Sequence, residues 1–146
     1  MKKIFFVTSQ LKSLVILAIA GLCLMSMCFP VNAAQNQGEE LYQYYCAQCH
    51  GEKANGKGIN ATEDLPTQPK DFTSPKNLPA FTDEQIVNTI KHGGPKEQLS
   101  FIMPPWGEVL SDQEIDLLKG QLRKICKCQY DPAVAAAAEA EKAKNN

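Results

Sequence analysis

The chain has 146 residues, with 15 basic and 16 acidic side chains and a formal net charge of −1 at pH 7. That length suits one small domain rather than two. Lysines and acids are interleaved, so no basic stripe points to nucleic acid.

The first 33 residues read as a cleavable export signal. Lys2, Lys3 and Lys12 form a basic flank, and Ser13 to Phe29 is uncharged and mostly apolar. Val31-Asn32-Ala33 then offers modest side chains to a signal peptidase, so cleavage is expected after Ala33 or Ala34. The apolar run falls short of the about 20 residues a membrane span needs. Membrane association follows only if the segment is retained. A lipoprotein reading is weaker, because Leu22 and Met27 stand before Cys23 and Cys28 where a small residue belongs. Without the three signal lysines, 12 basic residues face 16 acidic ones, a formal charge of about −4. The remaining chain divides into a domain at residues 34–130 and a tail at 131–146.

A helix is expected over Glu39 to Ala47, with Leu41, Tyr44 and Tyr45 near helical spacing and acids in its first turn. At its end stands Cys46-Ala47-Gln48-Cys49-His50. Two thiols separated by two residues, with His directly after, match a c-type haem attachment site. Each Cys forms a thioether with one haem vinyl group, and the His stands under the iron. A zinc site would need a second ligand pair, and a thioredoxin-like site a βαβ setting; neither surrounds the motif.

From Glu52 to Phe81 the chain is rich in Gly, Pro, Asn and Thr, and Gly56-Lys57-Gly58 reads as a turn. Thr82-Asp83-Glu84-Gln85 is a capping box opening a helix through Ile86, Val87 and Ile90, which Gly93-Gly94-Pro95 stops. Ser111-Asp112-Gln113-Glu114 is a second capping box, followed by an apolar stripe of Ile115, Leu118, Leu122 and Ile125. No alternating strand pattern of useful length appears. The fold class is all-α, with three or more helices and long loops.

Cys126-Lys127-Cys128 closes the last of these helices. If both cysteines stay helical, their side chains point apart. If the helix ends at Cys126, they can bridge within the chain as a readily reduced disulfide. A disulfide-linked dimer through Cys126 or Cys128, free thiols and a metal site are the alternatives. Ala133 to Lys144 favours helix but is too short to be stable alone. It reads as a frayed extension or as a surface for a partner.

Over about residues 37 to 126 the chain resembles the class I, single-haem cytochromes c. The block from Gly38 through Tyr42 to Cys46-Ala47-Gln48-Cys49-His50-Gly51 carries that resemblance, as does Phe101-Ile102-Met103-Pro104-Pro105-Trp106. It implies a cytochrome c-like fold wrapping one covalently attached haem c. It also implies attachment outside the cytoplasm, hence the periplasm, and a redox protein donor and acceptor as partners. In the family the first and last helices cross beside the haem. Gly38 would permit the approach, and Tyr42 would pack near Leu118 or Leu122. Leu65 to Phe72 resembles the family's proline loop, whose proline carbonyl accepts a hydrogen bond from the ligating His; Pro69 is the expected residue, ahead of Pro66.

For the iron's second ligand, Met103 is the only methionine outside the signal and His92 the only other histidine. A thioether stabilises reduced iron and suits electron transfer, and Pro104 and Pro105 restrict the loop that carries it. His50 and Met103 are therefore the expected axial pair. His92, in the last turn of a helix, reads as a surface side chain favoured by the dipole. Trp106 is expected against the haem or in the core. With both positions filled, the protein is an electron carrier rather than an enzyme. The rivals are a haem subunit of a larger oxidoreductase, and an open-site protein binding a small gas or peroxide.

Overall fold

The computed structural model describes residues 32–144. The export segment read from residues 1–33 lies outside them but for Asn32 and Ala33. Among the described residues no helix is long and apolar enough to cross a membrane. Among the described residues, 33–144 fall in one compact unit.

Helix α1 (Asn32–Leu41) runs into a wider π turn (Tyr42–Cys46) and resumes as α2 (Ala47–His50). It starts well before the expected Glu39, because Ala33, Ala34 and Gln35 are good helix formers with no interruption before Gly38. Glu39 and Glu40 thus sit in its body, not its first turn. Two further helices, α3 (Asp83–His92) and α4 (Asp112–Cys126), and a tail helix α5 (Pro132–Lys144) complete the architecture. Short 3-10 turns at Leu78–Ala80 and Gly94–Glu97 lie between them. Among the described residues there is no strand, only an isolated antiparallel bridge between Asn55 and Asp71. The fold is all-α, as the sequence predicts.

Both expected capping boxes form. Thr82 Oγ1 accepts from the Gln85 N–H at 3.1 Å, and Gln85 Oε1 accepts from the Thr82 N–H at 2.9 Å. Ser111 Oγ accepts from the Glu114 N–H at 3.3 Å, and Glu114 Oε2 accepts from the Ser111 N–H at 2.8 Å. Each satisfies donors that a helix N-terminus otherwise leaves open.

The core gathers Tyr42, Phe72, Leu78, Ile86, Ile90, Leu110, Ile115, Leu118 and Leu122. Three of the four stripe residues of α4 are buried, and Ile125 packs at the margin. Gly38 is where α1 crosses α4: a Cβ there would stand 2.8 Å from the Leu117 carbonyl oxygen and 3.3 Å from Gln121 Cβ. On the N-terminal helix Tyr42 is buried, whereas Tyr44, assigned to the apolar face, is 75% exposed.

Arg123 is buried on α4 and joins three elements. Its Nη1 donates to the Leu78 carbonyl at 3.0 Å, its Nη2 to the Phe81 carbonyl at 2.6 Å, and its Nε to Asp83 Oδ1 at 2.9 Å. A buried guanidinium is tolerated because its donors are so occupied. The tail helix roots nearby: the Asp131 N–H donates to the Pro79 carbonyl at 2.7 Å, and Asp131 Oδ1 caps the Ala133 N–H at 2.8 Å.

Candidate haem site

The π turn delivers the attachment motif. The Ala47 N–H donates back to the Tyr42 carbonyl, one residue beyond the α spacing. Tyr42 stays on the core face, and its hydroxyl donates to the Gly51 carbonyl at 2.8 Å, bracing the far end of the motif. Burial raises the phenol's pKa above its ordinary value, which keeps it a donor. Gly51, at φ +83°, ends α2.

The following loop then takes up the carbonyls of α2. The Gly56 N–H donates to His50 O at 2.8 Å, Gly58 N–H to Cys49 O at 3.1 Å, and Asn60 N–H to Gln48 O at 2.8 Å. These are the acceptors a short helix leaves open at its C-terminus. Gly58 must be glycine, since a Cβ would overlap the Gln48 carbonyl oxygen and stand 2.6 Å from that of Ala47.

His50 is held from below and from the side. Its Nδ1 lies 3.1 Å from the Lys70 carbonyl, and its ring stacks on Phe72 with centroids 4.3 Å apart. A carbonyl can only accept, so Nδ1 carries the proton and Nε2 keeps its lone pair. Burial lowers the pKa of His50, while the Lys70 bond opposes that shift. The neutral imidazole is the form that ligates a metal.

The acceptor is therefore Lys70, not the expected Pro69 or Pro66. The Asn55–Asp71 bridge and the Phe72 N–H bond to the Ala54 carbonyl at 2.7 Å set the register of this segment. Pro69 instead turns its carbonyl to Gly56, where a Cβ would lie 2.5 Å away.

Cys46 and Cys49 are free thiols, each half-buried. Burial, with the charge of Cys49 beside it, pushes the Cys46 thiol up to about 12. Among the described residues no three His, Cys, Asp or Glu side chains are grouped to hold a bare metal ion.

Met103 is half-buried and seated on the C-terminus of α3. The Gly94 N–H donates to the Met103 carbonyl at 3.0 Å, and a Cβ on Gly93, at φ +83°, would stand 2.9 Å from the same oxygen. Behind Pro104 and Pro105, the Trp106 N–H donates to the Ile90 carbonyl and the Gly107 N–H to the Lys91 carbonyl, each at 3.0 Å. His92 lies exposed in the last turn of α3.

One contact brings the two loops together. Tyr45, adjacent to Cys46, meets Trp106 edge to face at 5.3 Å between centroids. Trp106 thus packs in the protein, half-buried against the core. The sequence places Tyr45 only in the apolar spacing of its helix and Phe72 only at the end of the proline loop, and assigns neither to the site. For Tyr45 the available signal was its place next to the first cysteine, and for Phe72 its place at the end of the proline loop.

The donor set fits haem c: two unpaired thiols, on the π turn and the short helix that follows it, an imidazole with Nε2 free, and a half-buried thioether on the loop after α3. A family model described as cytochrome c oxidase, cbb3-type, subunit III matches residues 33–119, more than half of the chain. No curated protein matches it. Among solved structures the chain is similar to the Kuenenia stuttgartiensis reducing HAO-like protein complex Kustc0457/Kustc0458, at 31% identity and a TM-score of 0.47, over 61% of this chain and 41% of that one. It thus spans less than half the length of that relative. It is also similar to the KustC0563 c-type cytochrome, at 25% identity and a TM-score of 0.46, over 63% of this chain and 96% of that one. With its attachment motif on a helix inside an all-α fold, the chain belongs to the family of that model, a class I c-type cytochrome domain.

Proposed function

We propose that the protein is a periplasmic single-haem electron carrier in which His50 and Met103 would hold the iron, with a donor and an acceptor protein as partners. When bound, haem c supplies a one-electron ferrous–ferric couple. Cys46 and Cys49 would anchor it through thioethers. The Lys70 carbonyl and the Phe72 ring orient His50 and direct Nε2 away from the loop. Gly93 and Gly94 seat the backbone of Met103. The single observation that carries the reading is the His50 Nδ1 bond to Lys70, which leaves Nε2 as the free ligating atom directly after two free thiols. No side chain is assigned as acid, base or nucleophile. Export and cleavage near Ala33 or Ala34 are part of the same proposal, as is the count of one haem.

The test is the ferric holoprotein spectrum of Met103→Ala. Loss of the near-infrared charge-transfer band of an iron–thioether bond is expected, together with rapid carbon monoxide binding by the reduced variant only. An unchanged spectrum would overturn Met103 as ligand. Rapid carbon monoxide binding by the unsubstituted protein would favour the open-site gas or peroxide reading instead.

A second reading has specific support. The family description names a subunit of an oxidase, so the chain can serve as a fixed electron-delivering subunit of a larger complex. Co-purification of a stable partner from native extract would favour it; a holoprotein that purifies alone favours the carrier.

A further inference from the structure

Helix α4 ends in a motif that the haem site does not use. Cys126 and Cys128 are joined in a disulfide within the chain, with one residue between them. We propose that this pair is a thiol–disulfide exchange site, taking dithiols as its reductant class, with Cys126 as the attacked sulfur and Cys128 as the leaving sulfur.

Three observations carry this. The first is that the bond closes the smallest loop a CxC can make, so it restrains the unfolded chain far less than a long-range bridge would. The backbone already fixes the turn without it. The Lys127 N–H donates to the Lys124 carbonyl and the Cys128 N–H to the Arg123 carbonyl, each at 3.3 Å, with Lys127 in the left-handed region at φ +52°. This is a Schellman end built on a non-glycine residue. Its backbone bonds hold the two Cα atoms, 5.1 Å apart, independently of the sulfurs, which prepares the dithiol to close again.

The second is electrostatic asymmetry between the sulfurs. Cys128 Sγ lies 3.8 Å from Arg123 Nη1. A thiolate released there meets a guanidinium, and a stabilised leaving thiolate leaves faster. Cys126 Sγ instead lies 3.3 Å from the Arg123 carbonyl oxygen, whose partial negative charge disfavours a thiolate there. Asp83 engages only Nε of Arg123, so Nη1 remains directed at the Leu78 carbonyl and the sulfur. Asp131, the next acid along the chain, is occupied at Ala133.

The third is access. Both cysteines are half-buried rather than enclosed, and Lys124 and Lys127 beside them are exposed cations that attract an incoming thiolate.

The step balances as follows. A thiolate of the dithiol attacks Cys126 Sγ, the Cys126–Cys128 bond breaks, and its electron pair leaves on Cys128. The second thiol of the reductant then displaces Cys126. The pair has gained two electrons and takes up two protons from water, while the reductant departs as its own disulfide. An oxidised dithiol of higher potential runs the reverse.

The experiment uses the full-length holoprotein in native buffer. Dithiothreitol is added, thiols are alkylated at intervals, and the peptide carrying Cys126 and Cys128 is weighed. With the iron held ferrous beforehand by ascorbate, reduction of the disulfide with an unchanged ferrous haem spectrum is expected; reduction only after denaturation would overturn the proposal. Glutathione in place of dithiothreitol traps the intermediate. The expected adduct is glutathione on Cys126 with the alkyl group on Cys128, and the opposite pattern would overturn the assignment. Arg123→Lys should slow reduction about tenfold by weakening the contact to the leaving sulfur; an unchanged rate counts against Arg123. If that variant fails to fold, the adduct pattern decides alone.

Discussion

The loops that carry the two proposed haem ligands are built differently. Around His50, the loop from Gly51 to Phe72 folds back on the short helix and satisfies its carbonyls one by one, then presents the Lys70 carbonyl and the Phe72 ring. Around Met103, the loop is fastened at its base to α3 through Gly94, Trp106 and Gly107, while Phe101, Pro104 and Pro105 are exposed. Dense local hydrogen bonding makes the histidine side difficult to open in pieces. The methionine side is the part that local fluctuation can release first, because few buried contacts hold it.

Matched glycine substitutions should break that comparison most severely. In Gly58→Ala the new Cβ meets three backbone atoms of the motif helix, the farther two at 2.6 Å. Backbone cannot step aside as a side chain can, so a loss of about 3 kcal/mol and failure of haem attachment are expected, read by haem staining of a denaturing gel. In Gly94→Ala the overlap with the Ser100 carbonyl oxygen is no looser, but it is with a single backbone atom of a loop that few buried contacts hold, and the next neighbours stand at 3.1 and 3.2 Å. A smaller loss of about 1–2 kcal/mol is expected, with haem retained and the iron–thioether band weakened. Equal loss of haem in the two variants would erase the distinction.

Trp106→Ala should come next. It removes the half-buried ring that joins the methionine loop to Tyr45. A loss of about 2–3 kcal/mol is expected in thermal unfolding, with faster carbon monoxide binding as the visible sign that Met103 has loosened. Tyr42→Phe acts on the other support. It removes one of two donors to the buried Gly51 carbonyl, which keeps the Ala54 N–H at 2.8 Å, and should cost about 1 kcal/mol while the iron–thioether band persists.

The elements that local chemistry dictates were readable from the sequence. Thr82 and Ser111 announce their helices through their own side chains, and Cys46, Cys49 and His50 state their chemistry by spacing. Gly38 and Tyr42 followed from the family resemblance. Features set by tertiary register were not readable. Lys70 accepts from His50 only because Ala54 and Asn55 pair with Phe72 and Asp71, a contact with no sequence mark. The π turn leaves no periodic trace in five residues, so Tyr44 was placed on the apolar face that Tyr42 and Tyr45 serve. Arg123 looked like an ordinary basic residue in a last turn, since nothing local reveals that Leu78 and Phe81 turn their carbonyls toward it.

The smallest effect bears on how far the methionine support extends. The Trp106 carbonyl accepts from the Val109 and Leu110 N–H groups at 3.0 and 2.8 Å, and Ser111 follows at once. The cap of α4 is thus continuous with the methionine loop. Ser111→Ala should cost about 1 kcal/mol through lost capping. The Ser111 hydroxyl, then its backbone N–H, holds the Glu114 carboxyl below the ordinary carboxylate range. A carboxyl lowered in the folded state stabilises above its unfolded pKa, and that contribution is lost as pH falls through the folded one. The gap in unfolding midpoint between the unsubstituted protein and Glu114→Gln should therefore be present at neutral pH and close in acid. If capping and ligation are one mechanical unit, the iron–thioether band of Ser111→Ala should weaken at a lower temperature than that of the unsubstituted protein. A band that fades at the same temperature would confine the methionine support to Gly93–Gly107.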